Sequence, residues 1–154
     1  MMTLTTSERS SVVTQLLNGA LSSIKEVVPI EFQMEKPRLL HQEFHLYFGV
    51  LIGITGDIKG KLVFTGDQKT FGSIGEKMFG MPLEGEMLLS FSGELGNMIA
   101  GGISTNIAEN GTDINITSPT IMQGDTTLSG YVQALEVPVQ FKKVGTLNTY
   151  LLLD

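Results

Sequence analysis

The stretch from Glu84 to Glu109 constrains this chain more than any other. Leu88, Phe91, Leu95, Met98, Ile99, Ile103 and Ile107 recur at helical spacing and fill a broad arc, so the stretch reads as one long helix with a core side and an open side. Asn110-Gly111 supplies the stop. Whatever the chain folds into must bury that arc against a sheet or a second helix. Gly93, Gly96, Gly101 and Gly102 interrupt the same stretch. Each costs up to about 1 kcal/mol of helix stability relative to Ala, so such a helix is expected to gain from close packing, by its own sheet or by a partner.

The open side carries Ser90, Glu94 and Asn97 at i, i+4 and i+7, on one face, continued by Gly101, Ser104 and Ala108. A carboxylate and a carboxamide one turn apart on a stripe of small residues suit a surface that another molecule approaches closely. For an arbitrary Glu and Asn on a helix, a solvated face is the commoner explanation.

The remaining pattern gives the layers. Thr6-Ser7-Glu8-Arg9 begins a first helix carrying Leu16, Leu17, Ala20, Leu21 and Ile24, closed before Pro29. Ile30 to Leu40 reads as extended, with Pro37 marking an edge or an irregular link. Phe44–Thr55 and Lys61–Thr65 form a predicted hairpin around the turn Gly56–Gly60. Asp67 is a helix N-cap and Gly80 a C-cap around a short helix. Asp113–Ile116 and Thr120–Met122 are short extended pieces, and Leu128–Phe141 with Thr146–Leu153 reads as a closing antiparallel pair. The predicted fold class is α+β, with helices packed on an antiparallel β-sheet. The 154 residues form one predicted domain, 1–154, with 1–8 expected to be a flexible N-terminus. Ser11-x3-Gln15-x2-Asn18 echoes Ser90-x3-Glu94-x2-Asn97, as a degenerate internal duplication would; Gln15 lacks the charge, so no second active site is assigned there.

Composition removes several kinds of chemistry. There is no cysteine, hence no disulfide, thiolate nucleophile or zinc–thiolate site. A net charge of −6 with only 10 Lys+Arg argues against binding nucleic acid or an anionic membrane surface. Met1 to Arg9 lacks the basic-then-apolar pattern of a signal peptide, and no run reaches a membrane span, so a cytoplasmic location is expected. Gly56-x3-Gly60-Lys61 has the wrong spacing and context for a phosphate loop and is assigned to the hairpin turn. His41 and His45 lack an evident third ligand and read as edge histidines. The eight methionines, including Met78, Met81, Met87 and Met98, are expected to fill the core.

Gly93-Glu94-Leu95-Gly96-Asn97-Met98, followed by Ile116-Thr117-Ser118-Pro119-Thr120, resembles the signature of the CheC/CheX/FliY phosphatases, and Ile52–Gly60 resembles that family's central hairpin. The resemblance covers essentially the whole chain in length and element order. One complete motif in a short chain is more similar to CheX than to CheC, which carries two, or to FliY, which has an additional switch domain. The resemblance implies a chemotaxis hydrolase of two-component signalling, which removes the phosphoryl group from the aspartate of a CheY-like response-regulator receiver. Asn97 is then expected to orient the attacking water, Glu94 to pair with the receiver's lysine, and Ser90 and Pro119 to support them. No cofactor of its own is implied, Mg²⁺ belonging to the receiver. A homodimer and a CheD-like partner are further implications. The alternative is a non-catalytic adaptor of the same fold that binds a receiver or a CheD-type protein.

Overall fold

The computed structural model describes residues 6–40 and 43–154, with side chains from Ser10 onward. The elements are α1 (Thr6–Val27), β1 (Phe32–Met34), β2 (Arg38–Leu40), β3 (Phe44–Gly56), β4 (Gly60–Thr65), α2 (Gln68–Phe79), α3 (Gly85–Ala108), β5 (Ile114–Ile116), β6 (Thr120–Leu128), β7 (Gln133–Phe141) and β8 (Gly145–Leu153). The strands form one antiparallel sheet in the order β1-β7-β8-β4-β3-β5, with β2 also on β7 and β6 also on β3. The predicted α+β class is the observed one. The expectation for residues 1–8 falls largely outside the described residues, and α1 begins at Thr6.

Both faces of the central strands are apolar because their sequence runs, Leu62-Val63-Phe64 and Tyr150-Leu151-Leu152-Leu153, do not alternate with polar residues. Val50, Ile52, Ile54, Leu62, Phe64, Leu151 and Leu153 join the cluster that contains the helices. Their neighbours Val63, Tyr150 and Leu152 point the other way, into a smaller cluster with Leu46 and Ala134. On that outer face Glu136 is buried. Tyr150 Oη donates a 2.7 Å hydrogen bond to Glu136 Oε2, Arg38 donates to Oε1, and Phe44 stacks on the Tyr150 ring at 4.2 Å.

Helix α3 lies at the centre of the helical layer, and its glycines explain how. A Cβ on Gly96 would come within 2.9 Å of Val50 Cγ1 of the sheet, and one on Gly102 within 2.2 Å of Ser23 Oγ of α1. At that second contact Ser23 Oγ donates a 2.7 Å hydrogen bond to the Ile99 carbonyl, and Asn106 Nδ2 donates to the Gly19 carbonyl at 3.2 Å. Gly93 lies against Pro119 and Ile121, while a Cβ on Gly101 would meet nothing within 4 Å.

The caps and turns follow the local sequence. Asp67 accepts from the Thr70 N–H at 2.7 Å, and hydrogen bonds from Thr70 hold its carboxyl below the usual range. Gly80 caps α2 in the left-handed conformation, φ 75°. Gly56 to Gly60 is the hairpin turn, with Asp57 Oδ2 accepting from the Asp113 N–H, so it is no phosphate loop. His45 is exposed and its Nδ1 lies 2.8 Å from Thr127 Oγ1; His41 lies outside the described residues.

Two expectations need correction. β6 runs from Thr120 through Leu128, so Leu128 ends that strand and does not open β7. The run Gln123-Gly124-Asp125-Thr126-Thr127 is polar because β6 lies along the outside of β3, and the register shifts between Leu46 and Phe48. The methionines are also not uniformly core: Met81 is 51% and Met87 58% exposed.

Two measurements test this packing. Gly102→Ala should lower unfolding stability by about 1–3 kcal/mol through overpacking against Ser23, whereas Gly101→Ala should raise it by up to about 1 kcal/mol. Denaturant midpoints that moved equally for both would contradict the contact at Gly102. Burial, the largest influence, raises the Tyr150 phenol above its ordinary pKa of 10.0, opposed by a hydrogen bond to Thr65 and by Arg38. The folded state therefore favours the protonated phenol. Its contribution is complete below that ordinary value and is lost as pH climbs through the raised one. Tyr150→Phe should cost about 1–2 kcal/mol at neutral pH and should flatten the alkaline decline of stability, as followed by urea unfolding across the pH range.

Candidate functional site

Helix periodicity, with Met87 as reference, orders the outer surface of α3. Met87 and Glu94 are nearly in line, Ser90 and Asn97 lie to one side of them, and Gly93 lies further around. The structure gives that order physical borders. On one flank the Phe91 ring meets Phe79 of α2 edge-on, with centroids 5.7 Å apart. On the other flank Gly93 faces Pro119 and Ile121 at the start of β6. Ser90 and Glu94 are exposed and Asn97 is half-buried, as befits a residue nearer the β6 border.

Pro119 is held in place by the segment before it. Thr117 donates its N–H to the Gly53 carbonyl at 3.0 Å and accepts from the Gly53 N–H on Oγ1 at 2.8 Å. The β5–β6 link is therefore tied to β3 from both sides of the peptide. Pro119, whose ring would be within 3.5 Å of a Cβ on Gly93, sits beside the row that leads one turn on to Asn97. The four residues picked from sequence thus occupy one surface. Gly93 packs against its own sheet: it is buried by Pro119 and Ile121, at distances that are ordinary contact for a Cβ. Gly101 alone of the four glycines opens to solvent on this face.

Neither Glu94 nor Asn97 has a hydrogen-bond or ion-pair partner among the described residues. Neighbouring polar groups on the buried side of α3 are satisfied: Ser92 Oγ donates to the Leu88 carbonyl at 2.7 Å. The α1 echo is also tied down. Gln15 Oε1 accepts from Thr112 Oγ1 at 2.7 Å and its Nε2 reaches Ser11 Oγ at 3.4 Å. Gln15 and Asn18 line an open polar groove of about 510 Å³ between α1 and the end of α3, with Ser11, Asn106 and Glu109. Gln15 thus ties α1 to the link that follows α3, while Glu94 has no such bond among the described residues. Among the described residues no three His, Asp or Glu side chains converge as a metal site would require, and no helix is long and apolar enough to cross a membrane.

What sequence reasoning missed is the apolar border. Phe79, Met81 and Met87 are 60%, 51% and 58% exposed. The signal was available for Met87, which falls three residues before Ser90 and seven before Glu94 and so belongs to the open stripe.

The site is thus an amide and a carboxylate displayed on the outside of a helix, in a single-sheet α+β protein whose helices cover one face. A family model described as chemotaxis phosphatase CheX matches residues 48–140, from β3 through α3 and Pro119 into β7. The CheY-P phosphatase CheX of Thermotoga maritima is 32% identical over 133 residues, which cover 83% of this chain and 86% of that protein. The chain belongs to the CheX family of chemotaxis phosphatases. The fold agrees with solved structures. A CheC-like superfamily protein from Shewanella sp. PV-4 superposes with a TM-score of 0.76 at 24% identity, over 92% of this chain and 96% of that one. The structure of the CheX–CheY–BeF3–Mg complex from Borrelia burgdorferi matches with a TM-score of 0.75 at 22% identity, over 92% and 96%.

Because Glu94 and Asn97 lie on the outer face and have no partner among the described residues, Glu94→Ala and Asn97→Ala should each change unfolding free energy by no more than about 0.5 kcal/mol. A loss of several kcal/mol in the denaturation curve of either variant would make that residue part of the fold.

Proposed function

We propose that this protein dephosphorylates the phosphoaspartate of a CheY-type receiver domain, with Asn97 as the residue that orients the attacking water. The observation that carries the reading is the pair Glu94 and Asn97, unpartnered and outward on α3, in a chain of the CheX family. A related protein bears the description CheY-P phosphatase, and another family member has been solved bound to CheY with BeF3 and Mg.

In this mechanism α3 docks over the receiver's active site. The Asn97 amide oxygen accepts a hydrogen bond from a water, and its N–H₂ donates to an oxygen of the phosphoryl group, so the amide can hold both reactants. The water oxygen attacks phosphorus in line, the bond from phosphorus to the aspartyl oxygen breaks, and the products are inorganic phosphate and a free aspartate carboxylate. The water's proton leaves with the phosphate or to solvent. Glu94, about 5–6 Å from Asn97 between Cβ atoms, pairs with the receiver's lysine and fixes the approach. Mg²⁺ is supplied by the receiver. The chain contributes position rather than a nucleophile, as in phosphoryl-transfer sites where an amide places the water. Ser90 and Pro119 border the contact. The same reading takes the protein to be cytoplasmic and a homodimer joined through a sheet edge, with a CheD-like protein as a further partner.

The test is the rate of phosphate release from a phosphorylated CheY-type receiver of the same organism. The wild-type chain should accelerate it, and Asn97→Ala should lower kcat by at least about 100-fold while the circular dichroism spectrum is unchanged. Glu94→Ala should act mainly on KM. Equal release with and without the wild-type chain, alongside tight receiver binding, would instead make the protein an adaptor.

A further inference from the structure

The exposed apolar corner between α2 and α3 has no role in the mechanism above. We propose that Phe79, Met81 and Met87 form the surface on which the phosphorylated receiver docks and by which it is selected, an inference that rests on the reading of the α3 face as the receiver-binding side. Three observations support it.

The first is that the exposure is built into the fold. Leu83, buried in the middle of the connection, packs so tightly on α2 that a Cβ on Gly75 would lie 2.4 Å from its Cδ1. Left-handed Gly80 (φ 75°) and Gly85 (φ 57°) turn the chain on either side of it. With Leu83 inside, Met81 is left outside, and the Phe79 ring is propped edge-on against Phe91. The propped Phe79 ring gives apolar area with little ordering cost on binding, and the flexible thioethers beside it adapt to the shape of what docks.

Continuity with the site is the second. Met87 is on the same face of α3 as Glu94, about 10 Å along the axis, and Ser90 lies between them. Anything that reaches Asn97 across this face and is as broad as a receiver domain covers Met87. The other exposed large apolar residues, Leu21, Leu39, Tyr47 and Val132, belong to other elements or to the link between β6 and β7.

Charge is the third. Glu76, Glu84, Glu86 and Glu94 are exposed around the corner, against Lys77. The matching surface is apolar with basic groups at its rim, which suits the lysine-bearing edge of a receiver active site and disfavours an acidic partner, including a second copy of this −6 chain.

The double variant Met81→Ser/Met87→Ser separates docking from chemistry. Both side chains are more than half exposed, so its unfolding midpoint should match wild type. Its Kd for a beryllofluoride-loaded CheY-type receiver of the same organism should rise roughly tenfold, KM should rise in parallel, and kcat should stay within about twofold of wild type. Met81→Leu/Met87→Leu should restore wild-type affinity. An unchanged Kd overturns the inference, as does a fall in kcat with KM unchanged, or a shift from dimer to monomer in light scattering while receiver affinity holds. A wild-type chain that binds the receiver without speeding phosphate release defeats the catalytic reading alone, and the Kd of the double variant still decides this one. A wild-type chain that binds no such receiver overturns both.

Discussion

The contact on which the structure depends is the near-backbone approach of α3 to its two supports. Gly96 meets Val50 on the sheet and Gly102 meets Ser23 on α1 at separations that leave no room for a methyl group. Ser23 then closes the gap with a hydrogen bond to Ile99, and Asn106 does the same to Gly19. The helix loses propensity at each glycine, and the loss is offset by packing that buries Leu95, Ile99 and Ile103 almost completely. The important result is rotational. With contacts fixed on two sides, α3 cannot roll, and the direction in which Glu94 and Asn97 point is set by residues that never touch a partner.

The two faces of the sheet are finished differently. The helices seal one. The other is closed by Phe44, Leu128 and Tyr131 around the core of Val63, Tyr150 and Leu152, with Glu136 held between Arg38 and Tyr150. A buried carboxyl in such a place is retained by its partners, not by burial itself. This polar cluster lies across the sheet from α3, so the stability it provides is separate from the exposed helix face.

Much of this was legible in the sequence where a local cause sufficed. The α3 arc, the Asp67 and Gly80 caps, the Gly56–Gly60 turn and the Ser90/Glu94/Asn97 stripe each follow from periodicity or from a single residue's conformational preference. Legibility failed where neighbours decide. β6 carries Gln123, Asp125 and Thr127 because it runs on the outside of β3, and a polar edge strand looks like a loop until its partner is known. For Gly93 the sequence leaves open whether its own sheet or a partner packs on it, and the tie between Thr117 and Gly53 brings Pro119 over it. Met81 and Met87 were assigned to the core by residue type; Leu83 takes the inward position between them, and Met87 followed the stripe's own periodicity outward.

That Glu94 and Asn97 have no internal hydrogen-bond partner among the described residues has a consequence for selectivity. An enzyme with an enclosed pocket must exclude wrong substrates by shape. A helix face that displays one amide and one carboxylate offers a small phosphoester little to hold it, and among the described residues no three His, Asp or Glu side chains gather as a metal-binding cluster. On the proposed reading, discrimination is then a matter of assembly: the chemistry exists only while two proteins are in register, and lifetime of that encounter, rather than the fit of a ligand, decides which phosphoryl groups are removed.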